Sequence, residues 1–386
     1  MNYKIITGID KIDRQAWSRF IGSHPQGTVF QSPGMHDLFE SAARMEPVAL
    51  ACTDENNNIL GVLLAVIIRE RDGIAGYFSK RTVVYGGPLV QVIGDEIKKV
   101  QEQGSTVARE PGSPGTQNSE LRTQNLPEHP NTNSEFDSHH ITDLLLKALV
   151  REVGKRSVFI QFRNFTEQEG LKEVFEKNGF TLNDRLNLLV DTSSLKTVKS
   201  HMSESRWRQV RKSLEQGALT REPKNIEEVR VFYDILNDLY KNKVKKPLPG
   251  WSFFENFYRL SNNGLNPGVI LLVEYEGKII GGILCPVTAG KVIYEWYVCG
   301  LDREYRHVYP SVLATWAAIE YAISNNIPQF DFMGVGLPHR PYGVREFKKR
   351  FGGSMVNYGR FSRINNKTLY NIAELGYNVL AVMKKI

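Results

Sequence analysis

Positive charge is concentrated in one short segment near the end of the chain. Residues 343–353 read GVREFKKRFGG and follow FDFMGVG, which is typical of a buried strand that runs into a glycine turn. Cations gathered where a strand ends would attract an anionic group to that edge of a sheet. We therefore expect the segment to face an anionic, activated substrate. Tyr342 and Arg345 would contact its pyrophosphate or carboxylate, because a planar guanidinium suits both groups.

Two acidic side chains, Glu295 and Asp331, lie inside apolar runs that are typical of strands. Acids are rarely buried without a partner, so each is expected to have a specific role. One of them would act as a general base or would orient a nearby lysine. The alternative is a buried structural ion pair. Glu295 shares its strand face with Tyr297, which makes Tyr297 a candidate for the same cleft.

A basic helix, SESRWRQVRKSLEQG, lies between the two halves of the chain. Helical spacing brings Arg208, Arg211 and Lys212 within one turn of one another. One interpretation is that they contact the phosphates of a nucleotide-linked precursor or of tRNA, with Trp207 as a stacking surface. The alternative is an ordinary exposed helix with one buried tryptophan.

The overall composition fits a globular protein with anionic partners. The chain has 386 residues and a net charge of +7, which suits two or three domains and favours nucleotides, tRNA or an anionic membrane surface. The cysteines and histidines show no metal-ligand spacing, so no metal is expected. The start has no signal-peptide core, and no apolar run could span a bilayer. This predicts a cytoplasmic protein, with peripheral contact at the inner face of the membrane as an alternative, and leaves the oligomeric state open.

The order of predicted elements repeats in the two halves. PVALACTDENNNILGVLLAVII and GVILLVEYEGKIIGGILCPV each read as a strand, a polar turn and a second strand. A third strand follows in each half (TVVYGGPLV and VIYEWYVCGL), then a helix (ITDLLLKALVREVGK and SVLATWAAIEYAISNN) and a short buried strand (SVFIQFRN and PQFDFMG). The sequence therefore predicts an α/β chain built from a duplicated unit, each copy a mixed, twisted sheet flanked by helices.

One segment of the first unit has a different composition. Residues 101–137 are rich in proline and polar side chains and would not bury enough surface to offset their conformational entropy. We predict a disordered insertion there. The predicted domains are residues 1–190, which contain the insertion, and residues 191–386, which carry the active site. A C-terminal amphipathic helix is predicted from Thr368.

Each unit, with its hairpin, strand, helix and strand in that order, resembles the GNAT acyltransferase fold. The tandem pair resembles the Fem (FemABX) family of non-ribosomal peptidyltransferases, which add amino acids to peptidoglycan precursors from aminoacyl-tRNA. FDF-x-G followed by FK-x-x-FG looks like the end of the second Fem-like domain, SRWRQVRKSLEQG is similar to the helix that opens it, and GTVFQSPGMHDLF is similar to the family's N-terminal segment. The resemblance implies that Lys348 binds an anionic substrate group or the developing oxyanion, that Lys246 lines the substrate channel, and that Gln31 faces the cleft from the first domain.

The resemblance also implies the reaction and its partners. The expected enzyme is an acyltransferase that needs no cofactor and transfers an aminoacyl or other acyl group to an amine. The donor would be an aminoacyl-tRNA, and the acceptor a nucleotide- or lipid-linked precursor of peptidoglycan or of a surface glycan. The site must hold the donor, free the amine's lone pair and stabilise the oxyanion.

Two other functions stay open. The first is an N-acetyltransferase that acts on an amino sugar with acetyl-CoA, an acyl-CoA, as co-substrate. That activity usually needs a glycine-bearing pyrophosphate loop at a helix N-terminus, whereas the corresponding segment here, DREYRHVYPS, has no glycine. Its Arg303 and Arg306 would instead hold a charged substrate. The second is a non-catalytic protein that binds tRNA or another anion on the same scaffold.

Overall fold

The computed structural model describes residues 2–70, 76, 79–91 and 138–372. The predicted insertion at 101–137 lies outside the described residues, as does the predicted C-terminal helix beyond Ile372. In the described part of the chain, no helix is both long enough and apolar enough to cross a bilayer.

The described chain alternates short strands with helices of up to four or five turns. The strands are β1 (Lys4–Thr7), β2 (Met45–Thr53), β3 (Ile59–Ile68), β4 (Arg81–Tyr85), β5 (Leu89–Val90), β6 (Phe159–Arg163), β7 (Thr181–Asn183), β8 (Asn187–Asp191), β9 (Leu219–Arg221), β10 (Gly268–Tyr275), β11 (Lys278–Thr288), β12 (Val292–Tyr294), β13 (Tyr297–Gly300), β14 (Gln329–Gly334), β15 (Ser354–Val356) and β16 (Arg360–Ile364). The helices are α1 (Arg14–Ser23), α2 (Pro33–Ser41), α3 (Ser138–Val153), α4 (Lys172–Lys177), α5 (Leu195–His201), α6 (Glu204–Glu215), α7 (Ile226–Leu239), α8 (Trp251–Asn262), α9 (Pro310–Ser324) and α10 (Gly343–Lys349).

The helix ends follow from local side-chain chemistry. Ser32 precedes Pro33 and accepts a hydrogen bond from the Met35 N–H, so it caps α2. Ser203 caps α6 in the same way, by accepting from the Arg206 N–H. Beyond α6 the chain turns at Gly217, whose φ of 88° is costly for any residue with a Cβ.

The two halves of the chain build two mixed sheets of the same design. The first sheet has the order β1-β2-β3-β4-β6-β16-β7, with β5 paired to β3. The second has the order β9-β10-β11-β12-β14-β8-β15, with β13 paired to β11. Every strand of one sheet thus has a counterpart at the same position in the other. The predicted duplicated α/β architecture is confirmed.

The two sheets exchange one strand in each direction. Strand β8 follows the first unit in sequence but inserts between β14 and β15 of the second sheet. Strand β16 follows the second unit but inserts between β6 and β7 of the first sheet. The predicted boundary at residue 190 falls within β8, and each sheet contains strands from both sides of that boundary. Each sheet is complete only when both halves of the chain contribute to it.

The described chain has three buried apolar clusters, and one of them joins the halves. Helix α3 covers one face of the first sheet, and α9 covers one face of the second. The third cluster contains residues of both halves, with Phe30 of the first unit at 5.1 Å, ring centroid to ring centroid, from both Tyr294 and Trp296 of the second. The Val29 N–H also donates to Thr288 Oγ1 at 2.9 Å. The two units therefore share an apolar core.

The strand exchange makes a specific stability prediction at Phe361 of β16. Its side chain is fully buried in the first sheet's core and stacks on Phe175 with ring centroids 4.0 Å apart. We expect Phe361→Ala to lower the free energy of unfolding by about 3–5 kcal/mol, and to speed amide exchange in α3, more than 200 residues earlier in the chain. Urea denaturation and hydrogen–deuterium exchange would measure the two effects.

Ile364, in the same strand, is the matched control because 43% of its surface is exposed. Ile364→Ala should change the unfolding free energy by only about 0.5 kcal/mol. If Phe361→Ala loosened residues 354–364 and left α3 and β6 unchanged, the exchanged strand would not be part of the first unit's cooperative structure.

Candidate active site

The second sheet opens between two strands that start as neighbours. Strands β12 and β14 pair in parallel from Val292 with Gln329 to Tyr294 with Asp331. The last bond of this ladder runs from the Glu295 N–H to the Asp331 carbonyl at 2.9 Å. Beyond it, β13 pairs with β11, while β14 shifts its register against β8. The predicted single strand over Val292–Leu301 is therefore two strands, and the break brings Glu295 and Asp331 to the opening.

Lys348 reaches this opening from α10. Its Nζ lies 2.9 Å from Glu295 Oε1 and donates to the Phe332 carbonyl at 2.7 Å. Only 8% of Lys348 and 6% of Glu295 is exposed, so the two side chains form a buried ion pair. Thr315 lies behind the pair, with Oγ1 3.5 Å from Glu295 Oε2. An ammonium has three N–H donors, and these two contacts leave one for another acceptor.

Asp331 is the most deeply buried acid of the group, with 1% of its surface exposed. It accepts hydrogen bonds from the Met333 N–H at 2.6 Å and from Asn187 Nδ2 at 3.2 Å. Burial raises the pKa of Asp331 to about 7, although both hydrogen bonds and Lys348 act in the opposite direction. The protonated and ionised forms are therefore both populated near neutral pH. Met333 itself has a φ of 57°, which is how its N–H turns back onto the carboxylate.

Aromatic rings line the side of the opening that faces the first unit. Trp296 lies at 5.6 Å from Tyr85 and at 5.3 Å from Phe253, ring centroid to ring centroid. Tyr297, a predicted substrate contact, stacks on Trp296 at 5.6 Å and packs on Phe254 at 5.4 Å. Burial raises the pKa of the Tyr297 hydroxyl well above its usual range. These aromatic rings next to Glu295 in the chain therefore pack against the shared core.

The predicted substrate contacts on α10 have different surroundings. Arg345 is 8% exposed, and its guanidinium donates to three backbone carbonyls, those of Val335 at 3.0 Å, Pro338 at 3.3 Å and Leu337. The structure thus gives Arg345 a role that the sequence did not suggest, which is to hold the loop between β14 and α10. Tyr342 is the residue before α10 and is 37% exposed. Substrate contact by either side chain stays a prediction.

The basic helix α6 is linked to α10 by a residue that the sequence analysis did not select. Arg206 is 2% exposed, with its guanidinium carbon 4.4 Å and 4.5 Å from the ring centres of Phe347 and Phe351. Its Nη2 donates to the Phe347 carbonyl at 3.0 Å. Arg206 therefore fixes the turn that carries Lys348. The burial of Arg206 could have been predicted from its helical spacing to Val210 and Ser213, because all three lie on the buried face of α6.

The other basic residues predicted on α6 point outward. Arg208 and Arg211 are exposed, and Trp207 is half-buried against Trp316 at 5.3 Å, with Lys199 Nζ 4.2 Å from its ring centre. Trp207 thus has one packed face and one face covered by a cation. Binding of a phosphate or a base by this helix stays a prediction.

Four further predicted residues are spread over other parts of the described chain. Arg303 and Arg306 are exposed in the connection between β13 and α9, and Lys246 is exposed after α7. Gln31 is 1% exposed, accepts from the Thr28 N–H at 2.8 Å and donates to the Gly87 carbonyl at 3.3 Å. Within the described ranges, none of the four is bonded to the buried lysine or the two acids. Gln31 instead ties together two segments of the first unit.

The N-terminus of α9 already holds an anion from the chain itself. Asp302 Oδ1 accepts a hydrogen bond from the Ser311 N–H at 3.0 Å, in the first turn of the helix. Tyr309, just before the helix, has a φ of 50° and brings the connection back against this turn. The carboxylate thus takes up a backbone donor that a bound phosphate would otherwise use.

One group of side chains among the described residues has ligand atoms close enough for a metal ion. His36, Asp37 and Glu40 on α2 bring one ligand atom each within 4.8 Å of one another. Asp37 is already paired with Arg14, with Nη2 and Oδ2 2.5 Å apart. A local acidic group with an internal counter-ion needs no metal to explain it.

Comparisons with known proteins agree with this fold. Residues 201–349, which include Arg206, Glu295, Asp331 and Lys348, match the acetyltransferase (GNAT) domain family model. Among solved structures, FemX superposes with a TM-score of 0.64 at 14% identity, over 96% of this chain and 99% of that one. The chain has a Fem-like tandem GNAT fold. The predicted resemblance to the Fem family is thereby confirmed.

Two further relatives show how far the similarity extends. Aminoacyltransferase FemA from Staphylococcus epidermidis is 32% identical over 110 residues, which are 26% of this chain and 25% of FemA. The chain thus matches about a quarter of the length of the curated relatives. The C-terminal domain (DUF2156) of a putative lysylphosphatidylglycerol synthetase from Agrobacterium fabrum superposes with a TM-score of 0.51 at 11% identity, over 95% of both chains. The Fem-like fold is therefore seen over nearly the whole chain, and sequence similarity over a part of it.

The buried Lys348–Glu295 pair predicts a strong energetic coupling. Lys348→Met would leave Glu295 buried without its counter-charge, and we expect it to cost about 3–5 kcal/mol of unfolding free energy. Adding Glu295→Gln should restore most of that loss, because the double variant buries no unpaired charge. A double-mutant cycle by urea denaturation measures the coupling.

Lys349→Met is the control, since Lys349 is the exposed neighbour on the same helix. It should stay within about 0.5 kcal/mol of the parent protein. Additive losses in the Glu295→Gln/Lys348→Met double variant would show that the two side chains do not stabilise each other.

Proposed function

We propose that the protein is an acyltransferase that transfers an aminoacyl group from an aminoacyl-tRNA to an amine on a peptidoglycan or surface-glycan precursor. The observation that carries the proposal is the buried group of Lys348, Glu295 and Asp331 at the point where β12 and β14 part. The name of the relative FemA, an aminoacyltransferase, and the GNAT match over residues 201–349 support it. The substrates are proposed from that similarity, and the roles of the residues from the geometry.

Lys348 supplies the positive charge of the proposed site. Glu295 and the Phe332 carbonyl hold its ammonium from two sides, which leaves the third N–H for an oxyanion. A fixed cation in a site of low polarity stabilises developing negative charge strongly, because it needs no reorganisation during the reaction. In this role Glu295 is a positioning residue that keeps Lys348 charged and oriented.

Asp331 is the proposed general base. A pKa of about 7 lets it accept a proton and release it again at neutral pH. The amine nitrogen attacks the ester carbonyl carbon and forms the new C–N bond, and the carbonyl oxygen becomes the oxyanion beside Lys348. The amine's proton passes to Asp331. The ester C–O bond then breaks, and the leaving oxygen of the tRNA takes the proton from Asp331 to become a hydroxyl, which returns Asp331 to its ionised form.

An acetyl-CoA donor is less compatible with the structure than a tRNA ester. The N-terminus of α9, where a GNAT enzyme would place the pyrophosphate, is occupied by the Asp302 carboxylate. A second anion there would be repelled by the first. The absence of glycine between Asp302 and Ser311 adds side chains where bare backbone would be needed.

The transfer activity can be tested with a matched pair of lysine variants. The assay measures transfer of a radiolabelled amino acid from a mixture of aminoacyl-tRNAs to a nucleotide-linked peptidoglycan precursor. Lys348→Met should lower turnover about 10²- to 10³-fold, since one fixed donor to the oxyanion is lost, whereas Lys349→Met should keep the parent rate. Where Lys348→Met is too unstable, Lys348→Met with Glu295→Gln replaces it.

Parent turnover in the folded double variant would remove Lys348 from the mechanism. If the parent protein gave no product but bound tRNA with strong salt dependence, the non-catalytic binding function would take the place of the proposed one.

The choice of donor can be tested by titration calorimetry. We expect the parent protein to show no binding of acetyl-CoA in the micromolar range, because Asp302 already neutralises the N-terminus of α9. Asp302→Asn keeps the shape of the turn and removes the charge, so it should bind acetyl-CoA more tightly than the parent protein does. Micromolar binding by the parent protein would favour the acetyl-CoA-dependent alternative.

A further inference from the structure

Three arginines affect one another's charge where the first sheet meets the second unit. Arg163 ends β6, Arg360 begins β16, and Arg185 lies in the connection between β7 and β8. Strands β6 and β16 are antiparallel with Gln161 opposite Ser362, so the same register two residues further on sets Arg163 opposite Arg360. Residues directly opposite in such a pair share one face of the sheet, and like charges there repel.

The charges of these arginines are not neutralised within the described part of the chain. Arg163 Nη1 donates to the Tyr85 hydroxyl at 3.3 Å, and its Nε is buried with no hydrogen-bond partner. Arg360 Nη1 donates to the amide oxygen of Gln161 at 3.3 Å. No carboxylate of the described residues lies within 4.0 Å of any of the three guanidinium groups. Burial, together with Arg163 and Arg185, lowers the pKa of Arg360 to about 8.

Elsewhere in the described chain, the buried Arg206 and Arg345 are bonded to carbonyl and amide oxygens, and some other arginines are neutralised by acids. Arg221, for example, bonds to both Glu228 and Glu274, with N–O distances of 2.6 Å to each. Arg163, Arg185 and Arg360 have fewer acceptors and repel one another, which costs stability. Binding of an anion to the three guanidinium groups would offset this loss of stability.

The arginine group is next to the candidate active site. A Cβ at Gly334, three residues beyond Asp331 on β14, would lie 3.1 Å from Arg360 Nη2. Tyr85, which contacts Arg163, packs edge-on against Trp296, the neighbour of Glu295, at 5.6 Å. The arginines thus approach the opening from the first unit, while Lys348 approaches it from the second.

We propose that Arg163, Arg185 and Arg360 form a binding site for a diphosphate group on a substrate of the transfer reaction. Guanidinium forks bind phosphoryl oxygens in pairs, and a diphosphate has the compact multiple charge that three of them require. A single carboxylate would leave most of the positive charge unpaired. That the diphosphate belongs to the acceptor rests on the proposed function, whereas the anion site itself does not.

The test measures binding and needs no transfer assay. The full chain is titrated by calorimetry with inorganic pyrophosphate and, separately, with uridine 5′-diphosphate. We expect both probes to bind, and we expect Arg163→Gln and Arg360→Gln each to weaken binding about tenfold or more, since each removes charge-assisted hydrogen bonds. Tighter binding of the nucleotide would add a nucleoside contact, and equal binding would show that the diphosphate alone is recognised.

Arg363→Gln is the matched control, because it removes the same charge from the same strand. Its side chain is occupied by the Asn178 carbonyl at 3.2 Å and by Asn365 Oδ1 at 2.5 Å. It should leave the affinity for pyrophosphate unchanged. Thermal melts without ligand give a second readout: Arg360→Gln should melt no lower than the parent protein, because it relieves repulsion with Arg163.

Three outcomes would overturn the site. The first is that neither probe binds at millimolar concentration. The second is that both probes bind but Arg163→Gln and Arg360→Gln leave the affinity unchanged. The third is that a short RNA displaces pyrophosphate whereas uridine 5′-diphosphate does not. Diphosphate binding without aminoacyl transfer would contradict the proposed function and support the site. Aminoacyl transfer by a protein that binds neither probe would support the proposed function and contradict the diphosphate site.

Discussion

The reciprocal exchange of β8 and β16 is the constraint on which the rest of the structure depends. Each strand is hydrogen-bonded on both sides within the sheet of the other unit, so removing either would expose two strand edges. The shared apolar core, with Phe30 against Tyr294 and Trp296, adds a second connection. The protein is therefore two copies of one design that depend on each other for completion.

The exchange also makes the candidate site composite. Leu189 of β8 is opposite Asp331, and Ser362 of β16 is opposite Gln161, so Asp331 and Gln161 hold equivalent places in the two sheets. Asn187, two residues before Leu189 on β8, bonds to Asp331. Arg360, two residues before Ser362 on β16, bonds to Gln161. The matched pair of positions thus holds an acid with an amide in the second sheet, and an amide with a guanidinium in the first. The two copies have kept their architecture and diverged in charge.

Local patterns predicted most of the elements but not the exchange. Hairpins, buried strands and capped helices leave a signal in consecutive residues, as at Gly217, whereas the choice of sheet for β8 or β16 depends on residues far away in sequence. The candidate active site was predicted only in part, because some of its residues have no signal in the neighbouring sequence. Glu295, Asp331 and Lys348 were selected as acids in apolar runs and by the FK motif. Arg206 and the arginines around Arg163 were missed, because arginine in a sequence is normally read as surface.

Some buried cations of the described chain have an acid as counter-charge, and others do not. Lys348 is paired with Glu295, and Arg221 with two glutamates, so each of these cations has a counter-charge within the chain. Around Arg163 and Arg360 the positive charge is in excess, at the contact between the first sheet and the second unit. An anion bound there would offset this excess and touch residues from both units. Since a ligand stabilises the state that binds it in proportion to the logarithm of its concentration, substrate binding would strengthen the contact between the two copies.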